Sequence, residues 1–166
     1  MKDLKMEEKE SLLDFESRGQ SGSVKIARLV REKTLNSLLL ETIDNLYTKI
    51  NGWNQDDSVK CIVLDSSSSR AFCAGADVVR LQREILQSRD NNRDYADSFF
   101  FHEYRLDYLI HVIKKPIILF LDESTNSLNL KIKENLIKNL IEETKNGLTI
   151  IVNSHEEILK QFADNI

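Results

Sequence analysis

The chain has 166 residues, of which 41% are hydrophobic and 30% charged, and its formal net charge is −4. That balance suits one folded domain of ordinary size and excludes a disordered chain. The acidic surplus lacks the basic face that nucleic-acid binding requires, and no apolar run approaches the roughly 18 residues of a membrane span. The first ten residues mix Lys with Asp and Glu around no apolar core, unlike a secretory signal or an Arg-rich presequence, so the expected location is cytoplasmic.

Residues 12–17 alternate weakly and predict a strand. The turn signal Arg18-Gly-Gln-Ser-Gly22 follows, and residues 24–30 predict the second strand of a hairpin. Leu39, Ile43, Leu46 and Ile50 have helical spacing, with Asn36 or Ser37 as the expected cap and Gly52 as the expected stop. Residues 59–64 form a nearly continuous apolar run, which predicts a buried parallel strand and makes Cys61 a buried thiol. A solvated serine loop is expected over 65–70, then helices over 76–86 and 95–113. The segment 91–94 is expected to be a mobile loop between them. Residues 117–121 and 148–152 predict two more buried strands, with helices over 130–145 and 156–163. Strands alternating with helices predict an α/β fold with a mainly parallel sheet flanked by helices.

The chemistry starts at Ala71-Phe-Cys-Ala-Gly-Ala-Asp-Val78, a small-residue turn between a strand and a helix. Free backbone N–H groups and the helix dipole favour negative charge at such a place. Gly75, Ala74 and Ala76 let a ligand approach the main chain closely. Donors aimed at an oxygen that gains charge make an oxyanion hole, although small residues at such turns also serve plain packing.

This turn, together with Leu35-Asn-Ser-Leu38, Asp57-Ser-Val-Lys-Cys-Ile-Val-Leu64 and Phe100-Phe-His-Glu-Tyr-Arg-Leu-Asp-Tyr-Leu-Ile110 leading to Lys114-Lys-Pro-Ile-Ile118, resembles the enoyl-CoA hydratase/isomerase (crotonase) superfamily. Within it, the Glu-Tyr-Arg-Leu-Asp run most resembles the 3-hydroxyisobutyryl-CoA hydrolase branch. The resemblance implies that the Ala76 N–H gives half of an oxyanion hole for a thioester carbonyl. It also implies that Ala71, Phe72, Cys73, Ala74 and Gly75 border the CoA site. The family's Asn-Arg-Pro appears as Val30-Arg-Glu32. The glycine-rich turn that supplies the second donor reads Asp122-Glu-Ser-Thr-Asn-Ser127, and the downstream carboxylates have no counterpart.

A second set, Ile118-Leu-Phe-Leu-Asp-Glu-Ser-Thr-Asn-Ser-Leu-Asn129 with Leu148-Thr-Ile-Ile-Val-Asn-Ser-His-Glu156, resembles ABC-type ATPases. It implies Asp122 as the Walker B magnesium residue, Glu123 as the general base and His155 as the switch histidine on the γ-phosphate of ATP. Ser124 stands where proline is usual and Asn129 where aspartate is usual. The chain contains no G-x-x-x-x-G-K-[ST] loop to cradle phosphates.

Together these readings predict a crotonase-like part over 1–116 joined to a P-loop-NTPase-like βαβ segment over 117–166, the two sharing one sheet. The leading expectation is a truncated or hybrid crotonase-like protein that binds an acyl-CoA and hydrolyses it weakly or not at all. The alternatives are an ABC-ATPase fragment using Mg and ATP, and a non-catalytic α/β scaffold. Either incomplete site leaves a homo-oligomer or a partner chain to complete it. His102 and His111 have no ligand cluster in the sequence and are expected at surface or boundary positions. Trp53 is expected to anchor the core or its edge, and Glu103, beside Arg105 and Asp107, to be a solvated charge.

Overall fold

The computed structural model describes residues 11–87, 94–122 and 149–153, with positions 131, 134, 135, 137–139 and 142 between the last two. Five strands form one sheet in the order of the chain: β1 (Leu13–Arg18), β2 (Val24–Leu29), β3 (Cys61–Ser66), β4 (Ile117–Asp122) and β5 (Thr149–Asn153). β1 and β2 are antiparallel, and the other pairings are parallel. The sheet is therefore mixed, with the parallel part built by helical crossovers.

The hairpin forms because Gly19, at φ 76°, takes a backbone turn that a side chain resists, setting Leu13 opposite Leu29. Its two faces differ. Ala27 and Leu29 are buried, with Leu13 and Phe15 packed on the same side. Arg28 points the other way, where its Nε donates to Asp65 on β3 at 2.7 Å. Ile62 is fully buried, whereas Val63, Leu64 and Cys61 are half-buried, so the expected buried strand is sealed chiefly on one face.

Helix α1 (Leu40–Gln55) buries Thr42, Ile43, Leu46 and Ile50, the 3.6-residue stripe that the spacing predicts. Its ends differ from expectation. Leu39 occupies the cap position with no side-chain bond, because Asn36 and Ser37 are engaged elsewhere. Gly52 lies inside the helix, where a Cβ would meet nothing within 4 Å, and the helix runs on to Gln55. Trp53 stands edge-on to Phe15 at 5.7 Å, an anchor at the core's edge.

Helix α2 (Val78–Gln87) contributes Leu81 to the core, and α3 (Asp94–Val112) contributes Ala96, Phe99, Leu106 and Leu109. Each such Leu or Phe side chain taken fully from water stabilises the fold by about 1.5–3 kcal/mol. His102 hydrogen-bonds Asp44 of α1, and His111 is exposed.

The chain continues into β4 without leaving the sheet. Lys115 Nζ donates to the Val59 carbonyl at 2.9 Å, and the Ile62 N–H donates to the Pro116 carbonyl at 3.0 Å. β4 and β5 are parallel neighbours, as in any βαβ unit, and nothing in the described residues marks the pair as a P-loop NTPase element. Between them, positions 134, 135 and 137–139 are helical and Ile137 is buried. The helix expected over 156–163 and most of the 91–94 loop lie outside the described residues.

Candidate functional site

Two segments clasp each other at the end of β3. The Leu38 N–H donates to the Gly75 carbonyl at 2.8 Å, and the Asp77 and Ala74 N–H groups donate to the Leu38 and Leu35 carbonyls, each at 2.9 Å. Leu35 and Asn36 reach this position through left-handed backbone, at φ 53° and 56°. That conformation is tolerable for Asn and uncommon for Leu, so the surroundings must hold it. They do so through the Leu35 and Asn36 N–H groups, which bond the Glu32 and Arg31 carbonyls at 3.0 and 2.9 Å. Asn36, only 1% exposed, also donates through Nδ2 to Ser66 Oγ at 2.8 Å and to the Phe72 carbonyl at 3.1 Å.

The serine stretch is solvated only in part: Ser67 and Ser69 are exposed, whereas Ser66 and Ser68 turn inward. Ser66 ends β3, and its hydroxyl donates to the Ala71 carbonyl at 3.1 Å while accepting from the Ser68 N–H at 3.1 Å. Ser68 is itself buried. A tight reversal after a buried strand leaves backbone groups that need local partners, and these hydroxyls supply them.

Asp77 locks the other side. It accepts from Arg31 Nη1 and Nη2 at 3.3 Å, from Ser37 Oγ at 3.2 Å and from the Arg80 N–H at 3.0 Å, the last contact capping α2. Burial opposes its charge, yet the Arg80 N–H and the Arg31 and Ser37 donors outweigh burial and hold the carboxyl below the usual carboxylate range.

Within this frame the predicted turn residues come together. Ala71, Phe72, Cys73 and Ala76 are half-buried, and Ala74 and Gly75 are exposed. Gly75 sits at φ 83°, and a Cβ there would meet nothing within 4 Å, so open space lies over the turn. Cys73 contributes its sulfur as well as its position: Sγ donates to the Asn36 carbonyl at 3.2 Å and accepts the Gly75 N–H at 3.3 Å. Burial pushes its thiol up, so it stays a neutral hydrogen-bonding group. The N–H groups of Ala74, Gly75 and Asp77 are all engaged. That of Ala76 donates to nothing among the described residues. It is a donor left free beside an open face, the arrangement that suits an incoming carbonyl oxygen.

The second constellation is not assembled in the same way. Asp122 ends β4 with its backbone opposite Asn153, while Glu123 and His155 lie outside the described residues. Among the described residues no group of three or more His, Cys, Asp or Glu could hold a metal ion, and no helix is long and apolar enough to cross a membrane.

Glu103 differs from its expected solvated state. It is half-buried on α3, and burial followed by the nearby Asp107 carboxylate raises its carboxyl above the usual range.

Several known proteins are similar to this chain. The enoyl-CoA hydratase/isomerase family model matches residues 24–125, running past position 116 into β4. The mitochondrial 3-hydroxyisobutyryl-CoA hydrolase of Gallus gallus is 35% identical over 106 residues, which is 64% of this chain and 26% of that protein. The small ribosomal subunit protein mS47 of Neurospora crassa is 30% identical over 103 residues, 62% of this chain and 20% of that protein. A carnitinyl-CoA dehydratase from Mycobacterium thermoresistibile superposes with a TM-score of 0.60 at 28% identity, covering 67% of this chain and 31% of that one. The chain thus spans a fifth to about a quarter of the length of these curated relatives. None of these matches supports the ABC-ATPase resemblance of residues 117–166.

Proposed function

Because the chain belongs to the enoyl-CoA hydratase/isomerase family, we propose that it binds an acyl-CoA thioester at the turn of residues 71–76, with the carbonyl oxygen on the Ala76 N–H. The observation that carries this reading is that unpaired N–H, presented over open space at Gly75 and held by the Arg31–Asp77 clasp. The acyl group we favour resembles 3-hydroxyisobutyrate, on the strength of the relatives' names.

One donor polarises a thioester but does not make an efficient enzyme. Losing a single oxyanion donor typically costs about 2.7–4 kcal/mol of barrier, or roughly 10² to 10³ in rate. The stretch Asp122–Ser127 has no glycine with which to supply the second donor in the family's manner, so a second copy or a partner chain would have to provide it. Binding with weak hydrolysis is therefore the expected behaviour. Family membership alone does not make an enzyme, since the similar mS47 is a ribosomal subunit protein, and a non-catalytic scaffold is the reading that binding excludes. An ABC-type site at Asp122, Glu123 and His155 is the other competitor, and the absent phosphate loop weighs against it.

A thermal-shift titration separates the three. A ligand that binds only the folded chain stabilises it by about 2.7 kcal/mol at a hundred times its Kd. The melting temperature is expected to rise with 3-hydroxyisobutyryl-CoA and to stay constant with Mg·ATP. A rise with Mg·ATP alone would replace this reading with the nucleotide one, and no rise with either would leave the scaffold.

A further inference from the structure

We propose that Glu103 is the proton-handling group of this acyl-CoA site, facing the turn from α3. The inference rests on the acyl-CoA reading and adds a residue to it. On α3, position 103 lies one turn after Phe99 and just under one turn before Leu106, so all three share the inward face. Phe72, Cys73 and Ala76 pack against the same core cluster that contains Phe99 and Leu106. Glu103 and the turn thus border the same core, and after burial the Glu103 charge adds to what pushes the Cys73 thiol up.

Among the described residues Glu103 has no ion pair and no hydrogen bond, because the cations around it are committed elsewhere. Arg105 stacks on the Tyr47 ring of α1 at 3.7 Å. His102 is bonded to Asp44 of α1. From α2, Arg80 lies over the Tyr95 ring and pairs with Glu84 at 2.8 Å. The remaining neighbour, Asp107, is a like charge four residues on. A half-buried carboxyl without a partner is costly to keep charged, and the resulting shift toward neutrality is what a general base or acid requires.

The chemistry balances without a further reagent. With the thioester oxygen on the Ala76 N–H, the Glu103 carboxylate takes a proton from water as the water oxygen bonds to the carbonyl carbon. The tetrahedral oxyanion rests on Ala76. Its collapse breaks the carbon–sulfur bond, and the proton on Glu103 passes to the departing CoA thiolate. The products are the free acid and the CoA thiol, and Glu103 returns to its carboxylate form.

The test uses the full chain with 3-hydroxyisobutyryl-CoA, following binding by calorimetry and thioester loss by absorbance across pH. In the wild type a slow rate is expected to rise with pH through a titration above the usual carboxylate range, since the base must be ionised. Glu103→Gln is expected to lower that rate by about 10²-fold and erase the pH step while binding is retained. Glu103→Asp is expected to restore part of both, a rescue that a packing role would not give. Glu103→Gln is also expected to speed alkylation of Cys73, because a negative neighbour is removed. The proposal is overturned if the wild type binds the thioester but hydrolyses it no faster than buffer. It is equally overturned if Glu103→Gln keeps the rate and its pH step, or if Cys73 alkylation is unchanged. If the wild type does not bind at all, the acyl-CoA reading falls first and takes this inference with it.

Discussion

The corner where residues 31–38 meet 71–77 is held by directed polar contacts, with Asn36, Ser66 and Asp77 each serving several partners. The side chains of the core beneath it, among them Ile43, Ile62 and Phe99, are held by apolar burial. Burial is non-directional, so the core tolerates adjustment as long as its volume is filled. Hydrogen bonds fix distances and angles, so the corner has one arrangement, and among the described residues the Ala76 N–H is left without an acceptor between the engaged N–H groups of Gly75 and Asp77. The core therefore sets whether the chain folds, and the corner sets what the fold can hold.

Substitutions in the two regions are expected to separate these roles. Phe99→Ala should have the largest effect on stability, about 3–5 kcal/mol by chemical denaturation, while the molecules that remain folded keep their affinity for a CoA thioester. Asp77→Ala should cost less, about 1.5–3 kcal/mol, because it removes charged hydrogen bonds rather than core volume. It should nonetheless abolish the thermal shift with thioester, since Ala76 loses its clamp. If affinity falls in Phe99→Ala and survives in Asp77→Ala, the division of labour is wrong.

Acid titration sharpens the same comparison. The Asp77 carboxyl titrates below its ordinary range in the folded chain, so its contribution is complete above the unfolded pKa. That contribution is lost as pH falls through the lower folded value. Stability of the wild type should therefore decline in acid more steeply than that of Asp77→Asn, with the two curves converging at the acid end. Parallel curves would mean that Asp77 contributes nothing through its charge. The smallest stability change is expected for Gly75→Ala, about 1–2 kcal/mol from left-handed backbone alone, as a Cβ there meets no neighbour. Calorimetry should still show weaker thioester binding, because the methyl group enters the space over Ala76.

The core was legible in the sequence and the corner only partly so. Apolar periodicity located α1, α3 and the five strands, since those signals are local: Ile43, Leu46 and Ile50 recur at helical spacing, and Ile117 opens a short apolar run. The 71–76 turn was visible through its small residues and its resemblance to a family. Its supports were not. Asn36 pairs with Ser66 across 30 positions and Arg31 with Asp77 across 46, and no local pattern encodes such a partner. For the same reason Asn36 resembled a helix cap and Ser66–Ser69 a solvated loop. Glu103 reads as a solvated charge in the sequence because its neighbours Arg105 and Asp107 are exposed, whereas its half-burial follows from a place on the helix between Phe99 and Leu106.

The free Ala76 N–H can be observed directly. In a 15N-labelled sample titrated with 3-hydroxyisobutyryl-CoA, the Ala76 amide proton is expected to move downfield as it takes up the thioester oxygen. The Ala74, Gly75 and Asp77 amides, already bonded, should move less. An Ala76 resonance that stays in place while saturating thioester shifts residues elsewhere would contradict the account.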